Sequence, residues 1–221
     1  MKRKVLTGSL LAMGALLVGV SFFAIAQPLT VLPRMALAPG FVLTDQHGER
    51  LTNEDLRGKL VVYTLAYTGC GEACAPINRT MAELAARLDE VDTGGAPVRL
   101  VTISVDPERD TPAALRSAAE GLGADGQVWR LASGDPAMVR QVVGGGFEVF
   151  YEARDDGTIR FDPAFVVVDG WGITRARNRV GLPDVELLLD QLRLLGNEVR
   201  ASTGVARFAY EAAHLFSCYA Y

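Results

Sequence analysis

The chain has 221 residues, 49% of them hydrophobic, with three cysteines and two histidines. That is apolar material for one well-buried core, and the length predicts a single domain with appendages. The net charge is −4, about −7 once the three basic residues ahead of residue 5 are set aside, and with no basic cluster this argues against nucleic-acid binding.

Lys2, Arg3 and Lys4 precede an uncharged stretch, residues 5–26, whose 22 residues are enough to cross a bilayer as a helix. The basic flank predicts a cytoplasmic N-terminus and places residues 27 onward on the periplasmic, or equivalent non-cytosolic, side. Ala24-Ile25-Ala26 resembles a cleavage site, but the run exceeds the roughly 7–15 residues of a signal-peptide core, which favours a retained single-pass anchor. Thiols exported in this way lie where disulfides persist. Residues 27–40 contain Pro28, Pro33 and Pro39 without periodicity and read as an extended linker. Residues 41–198 read as the folded domain and 199–221 as an apolar tail.

Within the domain, strand patterns are expected at residues 41–44, 60–65, 98–105, 129–132, 147–151 and 165–168, with turns at residues 45–48 and 169–170. Helical patterns follow the cysteines at residues 77–91, start at Thr111-Pro112, open at Asp135-Pro136, and recur over residues 183–197. Gly144-Gly145-Gly146 lacks a following Lys-Ser/Thr and is expected to be a flexible connector rather than a phosphate loop. The order of elements predicts an α/β fold, a thioredoxin-like central sheet flanked by helices.

Cys70 and Cys74 lie in the run Tyr67-Thr68-Gly69-Cys70-Gly71-Glu72-Ala73-Cys74-Ala75-Pro76, on a strand-to-helix turn. Partial positive charge and free N–H groups at a helix start stabilise a thiolate, the species that both disulfide exchange and soft-metal binding require. Two thiols four apart can close on each other or hold one metal ion, and the spacing alone leaves both open.

Phe41-Val42-Leu43-Thr44-Asp45-Gln46, Leu56-Arg57-Gly58-Lys59, the Tyr-Thr-x-Cys-x3-Cys run and Ser104-Val105-Asp106-Pro107-Glu108-Arg109-Asp110-Thr111-Pro112 together resemble the Sco/SenC family over residues 40–197. The resemblance implies a membrane-tethered thioredoxin fold that assists assembly of the copper centre of cytochrome c oxidase, binding copper, exchanging disulfides, or both. It puts the family's cysteines at Cys70 and Cys74, which makes them the catalytic pair and the ligands of any Cu(I). Its copper-binding members add a histidine just before the strand that ends in an Asp-Gly turn, where this chain has Phe161-Asp162-Pro163-Ala164. A carboxylate is a hard ligand poorly suited to Cu(I), whereas two thiolates alone still hold it. The same run is similar to the stretch of thioredoxins in which a cis-proline faces the cysteines, which implies a cis Pro163 whose preceding carbonyl receives a substrate strand.

The leading expectation is therefore thiol-disulfide exchange, with Cys70 attacking and Cys74 resolving, on a copper-site subunit of a respiratory oxidase or another thiol protein. A Cu(I) metallochaperone using the same cysteines, and a redox sensor, are the alternatives. Met81 and Met138 read as core filling, Glu72 as a solvated carboxylate, Asp106 and Asp110 as turn and cap residues, and His47 as an exposed turn residue. In the tail, His214 and Cys218 stand four apart, as a two-ligand metal clip on a helix requires, though an amphipathic docking helix explains them more simply. Cys218, the odd cysteine, is also a candidate resolving thiol.

Overall fold

The structure, a computed structural model, describes residues 29–179, 181–204 and 206–217, together with residues 8, 13–15, 17–19 and 21. Among the described residues no helix is long and apolar enough to cross a membrane, and most of the expected anchor, residues 5–26, lies outside them.

Among the described residues ten strands appear in chain order: β1 (Ala36–Leu37), β2 (Val42–Asp45), β3 (Arg50–Thr52), β4 (Leu60–Ala66), β5 (Val98–Ser104), β6 (Trp129–Ser133), β7 (Tyr151–Ala153), β8 (Ile159–Phe161), β9 (Phe165–Val168) and β10 (Ile173–Asn178). The helices are α1 (Ala75–Ala86), α2 (Pro112–Leu122), α3 (Pro136–Arg140), α4 (Val185–Arg200) and α5 (Ala206–Ser217). Eight strands form one sheet in the order β1-β10-β9-β4-β5-β6-β2-β3, and β7 and β8 pair as a separate hairpin. β4, β5 and β6 are parallel and β9 is antiparallel to β4. All seven residues of β4 are buried, as a strand covered on both faces requires.

Two cores sandwich this sheet. Met81 and Leu84 of α1, Leu115 of α2 and Leu188 and Leu192 of α4 pack on one face with Leu60, Val62 and Leu100. Val139 of α3, with Phe41, Phe147 and Leu56, packs on the other against Val61, Tyr63 and Ile103. This is the expected mixed α/β fold with a central sheet flanked by helices. The helix starts follow their caps: Thr111 Oγ1 accepts from the Ala114 N–H at 3.3 Å, and Asp135 and Asp184 cap α3 and α4 in the same way.

Three local expectations are corrected. Residues 31–38, assigned to the linker on their prolines, lie along the sheet instead: Val31 and Leu32 are buried, Met35 N–H donates to Thr174 at 2.9 Å, and β1 pairs with β10. Pro33 needs no N–H here, because its carbonyl is the group used, accepting from Arg175 at 3.0 Å. The glycines at 144–146 form a wide helical turn continuing α3 rather than a free connector, with the Phe147 N–H closing onto Val142 at 2.8 Å. The strand expected at residues 147–151 begins only at Tyr151, because Phe147 and Val149 turn inward as side chains of the second core.

Candidate functional site

β4 ends at Ala66, and the following turn, Thr68–Ala73, delivers both cysteines to the start of α1. Gly71 makes that turn possible, with φ +50 and ψ −129, a conformation a side chain strongly disfavours. Its reversal brings the two Cα atoms to 5.6 Å, and a Cys70–Cys74 disulfide is formed. Cys74 is fully buried, while Cys70 is half-buried at the mouth of the turn. When reduced, both sulfurs would lie beside the positive end of α1, where thiolates are stabilised.

The turn is held from below by a residue distant in sequence. Asp110, 2% exposed, accepts from the Thr68 N–H at 3.0 Å, the Thr68 hydroxyl at 2.5 Å and the Ser104 hydroxyl at 2.5 Å. Ser104 in turn accepts from the Asp106 N–H at 3.0 Å, and Asp106 accepts from Arg109 at 2.5 Å. Arg109 also donates to the Gly157 carbonyl at 2.6 Å, tying the loop of the β7-β8 hairpin to the site. Tyr67 adds a second tie, its hydroxyl accepting from the Ile159 N–H at 3.2 Å and its ring meeting Phe161 edge-on. Asp110, expected as a turn and cap residue, is thus the carboxylate that fixes the cysteine turn to the end of β5, while Asp106 closes the turn that follows β5 through its carbonyl. The available signal was Thr68, a hydroxyl two residues before Cys70 with no local partner of its own.

A cavity of about 310 Å³ opens beside Cys70, walled by Leu115, Leu122 and Leu131 with Asn78 and Asp110 among the few polar groups. The Asn78 side-chain oxygen is buried without a hydrogen-bond partner.

Pro163 is level with Ala66 when the β4-β9 register is continued past Thr64 and Phe165, so the expected loop does flank the site. The expected cis bond is absent: no described residue has a cis peptide bond. On either side of Pro163 the chain is anchored, with the Asp162 N–H donating to Phe150 at 3.2 Å and the Ala164 carbonyl accepting from Thr64 at 2.9 Å. Both anchors are met in the trans form, which prolyl bonds prefer by about 0.5–1 kcal/mol. Asp162 is exposed, and among the described residues no cluster of three or more His, Cys, Asp or Glu side chains could hold a metal ion.

The remaining candidates fall elsewhere. Met81 is fully buried in the first core and Met138 packs on the second, while Glu72 and His47 are exposed. His214 is buried with its Nε2 2.7 Å from Glu198 Oε1, a contact between α5 and α4. Cys218 lies outside the described residues.

Fold and site together define a thioredoxin-like α/β domain carrying a dithiol-disulfide pair at the end of its central strand. The profile of the SCO1/SenC family matches residues 31–175, and the chain belongs to that family. It is 28% identical over 96 residues to the SCO1 protein homolog of Bacillus subtilis, covering 42% of this chain and 47% of that one. The chain spans between about a quarter and a half of the length of the curated relatives it matches. Among solved structures, BsSco, described as having a disulfide switch and as a member of the Sco family of cytochrome c oxidase assembly proteins, aligns with a TM-score of 0.66 at 19% identity, over 76% of this chain and 98% of that one. The copper-bound ScoI of Arabidopsis thaliana aligns with a TM-score of 0.64 at 22% identity, over 73% and 99%. At these identities the structural likeness establishes the fold.

Proposed function

We propose that this chain acts in assembly of the copper centre of a respiratory cytochrome c oxidase, as a membrane-tethered domain facing the periplasm that reduces its client by thiol-disulfide exchange. The observation that carries the reading is the closed Cys70–Cys74 pair with Cys70 the more accessible sulfur and Cys74 fully buried. Only the outer sulfur of such a pair can be reached by a protein disulfide, and the inner one is placed to resolve. The cavity beside Cys70 and the segment through Pro163 would flank the client strand.

In the reaction, the Cys70 thiolate attacks one sulfur of a client disulfide; a mixed disulfide forms and the second client sulfur leaves as a thiolate. The Cys74 thiolate then attacks Cys70 Sγ, the mixed disulfide breaks, and the first client sulfur leaves. Two electrons pass to the client, whose two sulfurs take up protons as pH dictates, and Cys70–Cys74 is left oxidised. A second thiol protein must return it to the dithiol. With the reduced domain and an oxidised copper-site subunit, Cys70→Ser is expected to abolish client reduction and Cys74→Ser to accumulate the mixed disulfide. Unchanged reduction by both variants would sink the reading.

Copper delivery through the same two sulfurs is the second reading, favoured by the copper-bound relatives and by the short separation of the cysteines. Two thiolates suit Cu(I), with a client ligand completing the site. Titration of the reduced domain with Cu(I) against a competing chelator separates the readings: affinity no tighter than that of Cys70→Ser excludes copper carriage.

A further inference from the structure

We propose that the end of the domain opposite the cysteines, formed by β1, the turn at residues 169–172 and the first turns of α5, rests on the lipid bilayer interface; this builds on the reading of residues 5–26 as a retained anchor.

The first support is the length of free chain. The segment from Val31 is stitched to the domain: Arg175, 1% exposed, donates to the carbonyls of Leu32 at 2.6 Å and Pro33 at 3.0 Å, and Ala38 N–H donates to Gly172 at 2.8 Å. Only residues 27–30 separate the apolar run from Val31, so the tether spans at most about 18 Å even when fully extended. The interfacial layer of a leaflet takes up about 5–8 Å of that reach. The end of the domain where Val31 and Leu32 dock is therefore held near the membrane surface.

What that end exposes is the second support. Trp171 is 55% exposed, Met35 48%, Leu37 69% and Phe208 75%, four large apolar side chains from three separate segments. Trp171 and Tyr210 wall one groove of about 640 Å³ together with Arg34 and Arg207. Indole and phenol rings with arginines beside them are the side chains that favour the headgroup layer, apolar in body and polar at the tip. The neighbouring charges are largely matched: Arg34 pairs with Glu211 at 2.9 Å, Arg57 with Glu54 at 3.4 Å, and Arg200 with Asp92. An end with paired charges and exposed apolar groups suits a lipid surface better than an acidic or basic protein.

The third support is direction. Val61 at the start of β4 pairs with Val168, just before the Trp171 turn, whereas Cys70 follows the other end of the strand. β4 alone spans about 20 Å. With the Trp171 end on the bilayer, the disulfide points away from it, toward a client's soluble domain.

The test uses the full chain reconstituted in vesicles of phosphatidylcholine and phosphatidylglycerol, with or without phospholipid brominated near the top of the acyl chains. Trp129, the first residue of β6, is buried in the first core and 1% exposed, so bromine quenching reports Trp171. The expected result is a chain that floats with the vesicles and loses a large part of its tryptophan emission to brominated lipid. Trp171→Phe should abolish that loss. Leu37→Glu combined with Phe208→Glu, both at exposed positions, should reduce it severalfold while flotation persists. Flotation without quenching of Trp171 overturns the docked orientation alone. Failure to float overturns the anchor reading and the orientation with it.

Discussion

Asp110 shows how a single side chain can set the geometry of a cysteine turn it does not belong to. Its carboxylate takes three donors, two from Thr68 and one from Ser104, and so fastens the cysteine turn to the end of β5. Hydrogen bonds to a charged acceptor contribute about 1.5–3 kcal/mol each, and buried donors left unpaired cost a similar amount. Asp110→Ala should therefore lose about 3 kcal/mol or more in urea unfolding and slow disulfide exchange; an unchanged midpoint with unchanged exchange would remove Asp110 from the site. Gly71→Ala places a side chain at φ +50, a strain of about 1–3 kcal/mol. That loss should appear in the oxidised protein and shrink on reduction, because the turn can relax once the sulfurs part. The cysteines themselves were legible from the sequence, since a strand-Cys-x3-Cys-helix pattern is local. Asp110 was legible only as a turn residue, because its partner Thr68 lies 42 positions away.

At the scale of elements, β10 and β1 are two of the strands that local pattern missed. β10 reads Ile173-Thr174-Arg175-Ala176-Arg177-Asn178, with two arginines where a strand beside the core should be apolar. Arg175 is tolerated there because Asp169 at 2.9 Å, Glu198 at 2.7 Å and two backbone carbonyls surround it. Removing one partner of a buried pair costs about 3–5 kcal/mol, so Arg175→Ala should destabilise by that order and make residues 31–38 sensitive to protease. Helix α5 leans on the same cluster through His214 on Glu198 and Glu211 on Arg34. Burial works to raise the Glu198 carboxyl, but the hydrogen bond and charge of Arg175, with His214, outweigh it and leave it below its ordinary value of 4.5. Glu211 is likewise lowered, chiefly by its hydrogen bond to Arg34. Carboxylates depressed in the folded state contribute stability that is present above their unfolded value and lost as the pH falls through the folded one. Amide protection factors in residues 206–217 should therefore be high at pH 7 and fall below about pH 4.5, before those of β4 and β5; protection factors unchanged across that range would contradict the clamp.

For the whole molecule, the sheet separates two ends with different chemistry. One carries the disulfide and its apolar cavity, the other the exposed aromatic and aliphatic groups around Trp171. Since the ion pairs at the latter end are matched internally, its contact with lipid should depend on apolar burial and not on attraction to anionic headgroups. Quenching of Trp171 should then persist at about 1 M salt, where the Debye length is only about 3 Å, and loss of quenching on adding salt would assign the contact to charge instead. The sequence by itself determined the family, the place of the cysteine pair and the central strand-helix alternation, because apolar periodicity, caps and the cysteine motif act over a few residues. Tertiary structure decided the rest: the trans bond at Pro163, the clamp at Asp110, the stitching of residues 31–38 by Arg175, and the gathering of Trp171, Leu37 and Phe208 on one end. Each depends on groups far apart in the chain, whose partnership is fixed only when the sheet sets their register.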